Sequence, residues 1–134
     1  MTPSLCFLTL ADIFDIHLYQ LEHFGGISGT RDLDLLKSAV AMPQMSFGGV
    51  MLHKNIFEMA AAYLFHIVQN HPFLDGNKRT GAMAALVFLD INGYEFTATD
   101  ADLTQMVFKV ASGQMEKAAI TLFLKNHCSK KALL

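Results

Sequence analysis

Charged residues are scarce in this chain, and their balance argues against one class of partner. Asp, Glu, Lys and Arg make up 16% of the 134 residues, and the formal net charge is −2. Direct nucleic-acid binding relies on excess positive charge, so the sequence predicts no such binding. Cysteine is also rare, with Cys6 and Cys128 near opposite ends. A disulfide between them stays open, but reduced thiols are the expectation for a cytoplasmic protein.

Long apolar stretches are absent as well. No apolar run approaches the roughly 18 residues that a membrane-spanning helix needs, so the sequence predicts no membrane association. Asp12 and Asp15 interrupt the region where a signal peptide would be apolar, and no basic residue precedes them. We therefore expect a cytoplasmic protein. The length, without a linker, repeat or low-complexity segment, predicts a single domain over residues 1–134.

The chain is instead rich in apolar residues. Hydrophobic residues account for 52% of it, and eight Met and eleven Phe are among them. One interpretation is a Met-rich core, since the flexible Met side chain fills irregular gaps. The other is an apolar surface that a partner covers. Both interpretations stay open from the sequence.

Capping residues and apolar periodicity predict an almost entirely helical chain. The first three predicted helices run from the Thr9 cap with Asp12 to about His23, over residues 31–42 before Pro43, and from the Asn55 cap with Glu58 to about Asn70. The other three run from Asn77 or Lys78 to Asn92, from Thr99 with Asp102 to about Ala111, and on to about His127. The predicted fold is all-α, a compact bundle of about six helices with a short loop or hairpin.

Three pieces fall outside this helical pattern. Residues 43–54 contain two adjacent glycines and no helical period, which predicts a loop or short hairpin. Residues 94–98 fit a short extended piece, and Lys130-Lys131 fits a frayed tail. Within the fourth helix, residues 82–89 are apolar on every side. We therefore expect that helix to form the buried centre of the bundle.

The most informative stretch is HPFLDGNKRTG at residues 71–81. It predicts a loop that enters a helix N-terminus, where unpaired N–H groups and the helix dipole favour an anion. Lys78 and Arg79 add positive charge for phosphate oxygens. Gly76 lets the backbone approach them without a Cβ. Asp75 is a candidate ligand for a divalent metal.

Two further residues of this stretch have expected roles. His71 is a candidate base that takes a proton from a nucleophile, and Phe73 is expected to face inward and hold the loop by packing. Each residue also has an ordinary explanation: a His before Pro ends a helix, Asp-Gly-Asn is a common turn, and Lys-Arg lies on a solvated helix face. Their combination in this order favours a phosphate-handling site.

This stretch resembles the signature of the Fic/Doc superfamily, H-x-F-x-[D/E]-[G/A]-N-x-R, whose members transfer a phosphate-containing part of a nucleotide to a protein hydroxyl. Adenylyl-transferring members usually carry Gly where this chain has Lys78, and a second Arg where it has Ala82. Both differences point to the death-on-curing (Doc) branch, the toxins of type II toxin–antitoxin modules. The resemblance runs from about Gly25 to Gly93 and includes GGISGTRD at residues 25–32.

The resemblance implies a Fic-fold bundle and a toxin kinase. ATP is the implied co-substrate and Mg²⁺ the implied cofactor, and the γ-phosphate would go to a hydroxyl of a translation factor, elongation factor Tu by resemblance. His71 is implied as the catalytic base and Asp75 as the Mg²⁺ ligand. The implied phosphate-binding residues are Gly76, Asn77, Lys78 and Arg79. Within the segment 43–54, a flap that aligns the target would be formed by Phe47, Gly48 and Gly49.

The resemblance also implies that inhibition comes from another chain. Many Fic enzymes block their own nucleotide site with the Glu of a pattern [S/T]-x-x-x-E-[G/N]. The four Glu of this chain are followed by His, Met, Phe and Lys, so none fits that pattern. We therefore expect a cognate antitoxin whose C-terminal segment folds into an apolar groove beside the site.

Other interpretations stay open beside this one. One alternative is an AMP transferase of the wider superfamily, which Lys78 and Ala82 disfavour. The other is a non-catalytic peptide-binding module of the same fold. The six His show no spacing typical of a zinc site. Arg31 and Asp32 are candidates for contact with substrate or with the motif loop, but the preferred interpretation is that acidic residues here favour a helix start.

Overall fold

The computed structural model describes residues 4–132 and confirms a helical bundle with little strand. The helices are α1 (Leu10–Phe24), α2 (Leu33–Ala41), α3 (Ile56–Asn70), α4 (Asn77–Ile91), α5 (Asp100–Ala111) and α6 (Lys117–Asn126), with a 3-10 turn at Met42–Gln44. The strands are β1 (Ser46–Phe47), β2 (Val50–Met51), β3 (Tyr94–Phe96) and β4 (Cys128–Lys130). They form two antiparallel pairs, β1 with β2 and β3 with β4.

Polar side chains explain where the helices begin. The predicted caps of α1 and α3 are confirmed. At α1, Thr9 Oγ1 accepts the N–H of Asp12 while the Asp12 carboxylate accepts the N–H of Thr9, which satisfies two donors that the helix leaves unpaired. Asp32 caps α2 through its Oδ1, which accepts the N–H of Leu35 at 3.0 Å. Helix α2 therefore begins at Leu33, two residues later than predicted.

Helix α3 lies at the centre of the bundle and contacts α2, α4, α5 and α6. Its run Ala60-Ala61-Ala62 is fully buried, and such small side chains let neighbouring helices approach closely. The prediction that α4 forms the buried centre is therefore incomplete, because α3 shares that position. Met83 and Leu86 of α4 keep partial exposure since they line a pocket beside its N-terminus.

The prediction of a frayed tail at Lys130-Lys131 is wrong. Strand β4 pairs with β3 after α6, which ends at Asn126. Lys131 Nζ lies 2.6 Å from a carboxylate oxygen of Asp90, and its backbone N–H donates to Gly93 O at 2.9 Å. A three-residue strand carries almost no periodic signal, and its partner comes from a distant part of the chain, so the sequence did not reveal this pairing.

Residues 43–54 contain the predicted hairpin. Ser46 pairs with Met51 and Phe47 with Val50, and Gly48-Gly49 forms the tip with positive φ angles of 56° and 81°. The Phe47 side chain is 66% exposed. Two strands of two residues leave this hairpin with unpaired edges and little support of its own.

Cys6 and Cys128 carry free thiols, so no bond joins them. None of the helices within residues 4–132 combines the length and the apolar character that crossing a bilayer requires.

Two His and one Lys connect the segment after the hairpin to α3 and α6. Lys117 Nζ lies 3.3 Å from His53 Nε2 and 3.1 Å from His66 Nε2. An ammonium group only donates, so both ring nitrogens accept and both rings are neutral. Burial, the Lys117 charge and then His53 lower the pKa of His66 to about 4. Burial and then Lys117 lower the pKa of His53 as well.

We predict that this cluster makes the fold less stable in mild acid. The folded pKa of His66 is about 4 against an ordinary value of 6.5, so the unfolded chain binds more protons between these values. Stability is therefore lost as the pH falls from about 6.5 towards 4. His66→Gln does not titrate, so its Tm should fall less between neutral pH and about pH 5, as followed by circular dichroism. His23→Gln, at an exposed His on α1, should behave like the natural sequence, and equal slopes in all three proteins would contradict the prediction.

Candidate active site

The loop between α3 and α4, residues 71–76, is held by the segment that precedes α2. Pro72 O accepts two backbone N–H groups, from Arg31 at 2.7 Å and from Asp32 at 3.0 Å. A short antiparallel bridge also joins Thr30 to this loop. Backbone bonds of this kind fix the path of both segments together, so the motif loop and the segment before α2 form one structural unit.

Arg31 also reaches the motif loop with its side chain. Its Nε donates to His71 O at 2.6 Å, and its Nη2 donates to Asn70 O at 2.8 Å. These are carbonyl groups at the C-terminal end of α3, where a positive charge is favoured by the helix dipole. Asp32 does cap α2, as preferred from the sequence, but Arg31 fulfils the less favoured interpretation and contacts the loop. His71 itself has a left-handed backbone with φ 49°, which the guanidinium helps to hold.

His17 of α1 also supports the loop, a role that was not predicted from the sequence. It is 5% exposed, its ring stacks on Phe73 at 3.7 Å between centroids, and its Nε2 donates to Asp75 O at 2.8 Å. Phe73 is fully buried, which confirms its predicted packing role. The available signal for His17 is its position four residues after the buried Ile13, on the inward face of α1.

Asn77 closes the motif loop with its side chain. Oδ1 accepts the N–H of Phe73 at 2.9 Å, and Nδ2 donates to Phe73 O, also at 2.9 Å. A flipped amide would direct its NH₂ group at an N–H, so this pair fixes the orientation of the amide. The side chain is 4% exposed and fully committed to the loop. Asn77 can therefore offer a ligand its backbone N–H, at the first position of α4.

The same amide contacts the ring of His71. Asn77 Nδ2 lies 3.1 Å from His71 Nδ1. Because Nδ2 is a donor, Nδ1 accepts, and the neutral ring carries its proton on Nε2. The nitrogen lone pair of His71 thus points at Asn77. The exposed ring must rotate, or exchange its tautomer, before it can take a proton from a hydroxyl group.

Asp75 presents an ionised carboxylate near the end of the loop. Its Oδ2 accepts the N–H of Ile27 at 3.1 Å and its Oδ1 accepts the N–H of Gly76 at 2.9 Å. These hydrogen bonds, that from Ile27 first, lower the pKa of Asp75. A Cβ at Gly26 would lie 2.9 Å from Oδ2, at a backbone φ of 125°. The close contact between residue 26 and the Asp75 carboxylate therefore requires glycine.

The Asp75 carboxylate suits a Mg²⁺ ion that is shared with phosphate. Each oxygen uses one lone pair for a backbone N–H and keeps others free. The described residues contain no cluster of three or more His, Cys, Asp or Glu side chains. A hard cation held here would take its other ligands from phosphate oxygens and water, which is the usual arrangement for Mg²⁺.

Helix α4 begins at this point without a side-chain cap. Gly76 is its N-cap residue, with φ 80°, and no side chain within residues 4–132 accepts its first N–H groups. The N–H groups of residues 77–79 are therefore open to an anion, and the helix dipole favours negative charge there. The predicted helix N-terminus at Asn77 is confirmed.

The two cations of the motif are held by aromatic rings and not by carboxylates. Lys78 Nζ lies 5.6 Å from the ring centroid of Phe108, and Arg79 Cζ lies 4.3 Å from that of Phe24. The salt bridge found within residues 4–132 joins Lys131 to Asp90 and involves neither. An aromatic face positions a cation without cancelling its charge. Both charges are therefore available to an anionic ligand.

A pocket of about 450 Å³ brings most of these groups together. Its polar wall is formed by Asp75, Gly76, Asn77, Lys78 and Arg79, with Gln20 and Phe24 of α1 beside them. Its apolar wall is formed by Ala82, Met83, Leu86, Leu103, Val107 and Phe108, with Thr104. This volume and this division between polar and apolar walls are typical of sites for small organic ligands.

Two sets of predicted site residues do not line this pocket. His71 lies outside it and is linked to it through Asn77. The hairpin residues Phe47, Gly48 and Gly49 lie outside it as well. Sequence reasoning in turn missed Gln20, Phe24 and the α5 side of the pocket, because the motif lies entirely in the loop and α4.

Comparisons with known proteins identify a family and relatives of this chain. The family profile described as the Fic/DOC family matches residues 7–89. The chain is 45% identical over 75 residues to a Mycolicibacterium smegmatis protein named Toxin Doc, a match that covers 56% of this chain and only 58% of that protein. It is 25% identical over 109 residues to a protein of Escherichia phage P1 named Protein kinase doc, with 81% and 85% of the two chains covered.

We predict that Arg31 stabilises the end of α3 and the position of His71. Arg31→Met should lower the free energy of unfolding by about 1 kcal/mol, because two carbonyl groups lose a charged donor but remain reachable by water. Arg31→Lys should lose less than Arg31→Met, because its ammonium keeps a charged donor, although it cannot match both carbonyls at once. Denaturant titration measures the stability, and NMR of the His71 ring reports its surroundings. Lys37→Met removes an exposed cation from α2 as a control. A loss of stability no larger than in this control, together with unchanged His71 resonances, would contradict the prediction.

Proposed function

This chain belongs to the Fic/DOC family, and on that premise we propose that it is a Doc-type toxin that transfers the γ-phosphate of ATP to a protein hydroxyl. The proposed target is a translation factor, with elongation factor Tu as the first one to test. The name of the M. smegmatis relative supports the toxin role, and the name of the phage relative supports phosphate transfer. Both roles are proposals for this chain.

One observation carries the proposal. Two cations without carboxylate partners stand at an uncapped helix N-terminus, beside an ionised carboxylate and inside a pocket of about 450 Å³. That combination suits the phosphate groups of a nucleotide together with a Mg²⁺ ion. The neighbouring apolar wall suits the rest of a nucleotide. An inert module of the same fold has no need for exposed charges placed in this way.

Phosphate transfer is preferred over AMP transfer because of two positions on α4. The adenylyl-transferring branch usually has Gly at the position of Lys78 and a second Arg at that of Ala82. Here Lys78 adds charge and bulk at the open helix end, and Ala82 contributes only an apolar methyl group to the pocket wall. These differences favour a nucleotide whose γ-phosphate occupies the open end of α4.

Different residues of the site bind the phosphates and the metal ion. The N–H groups of residues 77–79, with the Lys78 and Arg79 side chains, bind and orient the phosphates. Asp75 would hold Mg²⁺, and the ion would supply charge neutralisation for the phosphates. Most of the rate then comes from positioning and from electrostatic stabilisation by groups that are already in place.

His71 receives the proton of the target hydroxyl. As its ring leaves Asn77, a nitrogen lone pair faces the incoming hydroxyl group. The hydroxyl oxygen forms a bond to the γ-phosphorus while the bond to the β–γ bridging oxygen breaks. The proton passes to His71, and ADP is the leaving group. The exposed hairpin with Phe47, Gly48 and Gly49 aligns the target backbone by strand addition.

We predict γ-phosphate transfer that depends on His71. The full chain, incubated with Mg²⁺ and γ-labelled ATP, should label purified elongation factor Tu or another protein in a cell lysate, whereas α-labelled ATP should leave no label on protein. His71→Ala should abolish labelling and growth arrest, because no other His lies in the motif. His23→Ala, at an exposed His of α1, should retain both. Label from α-labelled ATP would indicate AMP transfer instead, and no label from either would favour the inert module.

A partner chain is the second part of the proposal. Exposed apolar side chains occur on α1, on the segment before α2 and at the first residue of α2; they are Phe14, Leu18, Phe24, Ile27 and Leu33. Helix α1 and the segment before α2 together hold the motif loop. We propose that the C-terminal segment of a cognate antitoxin folds onto this apolar surface and covers the site.

We predict that this chain forms a stable complex with a small protein encoded beside it, and that the complex suppresses its toxicity. Co-expression, size-exclusion chromatography and a growth assay test this directly. Leu18→Asp on α1, at a side chain 53% exposed, should weaken the complex, whereas Leu122→Asp on α6, 58% exposed, should not. Equal loss of the complex in both variants would argue against α1 as the docking face.

A further inference from the structure

Gln20 lies on the face of α1 that packs against the motif loop and the first turn of α4. It comes three residues after His17, which supports the loop, and four before Phe24, whose ring faces Arg79. Residues three and four apart share one face of a helix. Gln20 therefore lies between these two contacts and opposite residues 76–79, and it lines the pocket.

The side-chain amide of Gln20 lacks a partner for its donor. The residue is 3% exposed, yet Nε2 makes no hydrogen bond to any group within residues 4–132. Such a buried amide is unfavourable, because its hydration is lost and no protein acceptor replaces it. Even Gln69 of α3, an exposed residue, pairs its amide, since its Nε2 donates to Val110 O at 2.7 Å. The buried Nε2 of Gln20 therefore suits a ligand that supplies the missing acceptor.

We propose that Gln20 is a binding residue of this pocket and that its Nε2 donates to a phosphate oxygen of the bound nucleotide. The identity of the ligand rests on the proposed function. Phosphate oxygens only accept, so they suit a donor that has no acceptor in the protein. The open N–H groups of residues 77–79 and the two motif cations face the same place. Gln20 adds a neutral donor from α1, on the side of the phosphates that α4 does not reach.

Phosphate is a better occupant than the nucleobase for a geometric reason. Along α1, the neighbours of Gln20 contact residues 75–79, which form the polar wall. The apolar wall comes from the later part of α4 and from α5. A base placed against the apolar wall leaves the phosphates at the helix N-terminus. The amide of Gln20 then faces the phosphates.

Isothermal titration of the full chain tests this assignment with three probes: ATP with Mg²⁺, inorganic tripolyphosphate with Mg²⁺, and adenosine. Gln20→Met keeps the length of the side chain and removes the donor. It should weaken binding of ATP and of tripolyphosphate on the order of tenfold and leave adenosine binding unchanged. The Tm of the free variant should stay the same or rise, because an unpaired buried amide has been removed. Gln69→Met is the matched control, and it should lower the Tm while leaving all three affinities unchanged.

Four other results would overturn the inference, and each has a different meaning. Affinities of Gln20→Met within about twofold of those of the natural chain overturn it while leaving the proposed function intact. A fall in Tm like that of Gln69→Met shows an amide with a structural role. Loss of adenosine binding alone assigns Gln20 to the nucleoside. If the natural chain binds neither ATP nor tripolyphosphate, the proposed function fails, and the inference fails with it.

Discussion

The carbonyl group of Pro72 is the point on which the site depends. It accepts two backbone N–H groups from the segment before α2, and the N–H of Leu74 returns a hydrogen bond of 3.0 Å to Gly29 O. These bonds clamp the loop between His71 and Asp75, so both chemical groups stand at fixed places relative to α4. The segment that provides the clamp also provides Arg31 for the end of α3. A family signature restricted to the motif therefore describes only half of the unit that forms the site.

The motif cations lack salt bridges although carboxylates are not in short supply. The chain has 12 acidic against 10 basic residues, yet the salt bridge found within residues 4–132 involves neither Lys78 nor Arg79. Phe108 and Phe24 hold these cations instead, and an aromatic ring leaves the positive charge in place. Uncompensated positive charge at a helix N-terminus destabilises the free chain and is relieved by an anion. Under the proposed function, affinity for phosphate and stability of the free protein are thus opposed at the same residues.

The sequence predicted the parts of the structure that depend on local signals. The caps at Thr9 and Asn55 and the start of α4 at Asn77 are confirmed, because each arises within a few residues of its own helix. Strand β4 was missed, since its partner β3 is distant in the chain. The central place of α3 was missed as well, because apolar periodicity shows how much of a helix is apolar and not which neighbours surround it.

The same limit applies to the site. The motif named the residues of the loop and of α4, but nothing in it indicates which face of α1 lies opposite. His17 and Gln20 are polar residues on an inward helix face, and from sequence alone such residues resemble ordinary partly buried positions. Only the packing of α1 against the loop shows that one of them is hydrogen-bonded and the other is not.

Asn77 links the structural and chemical halves of the motif. Its side chain locks the loop through Phe73 and also holds the lone pair of the His71 ring. In the proposed mechanism, His71 becomes available as a base only when its ring turns. The turn breaks one hydrogen bond, at a cost of about 1 kcal/mol, and exposed side chains change rotamer on fast timescales. Contacts with the proposed protein target would offset so small a cost.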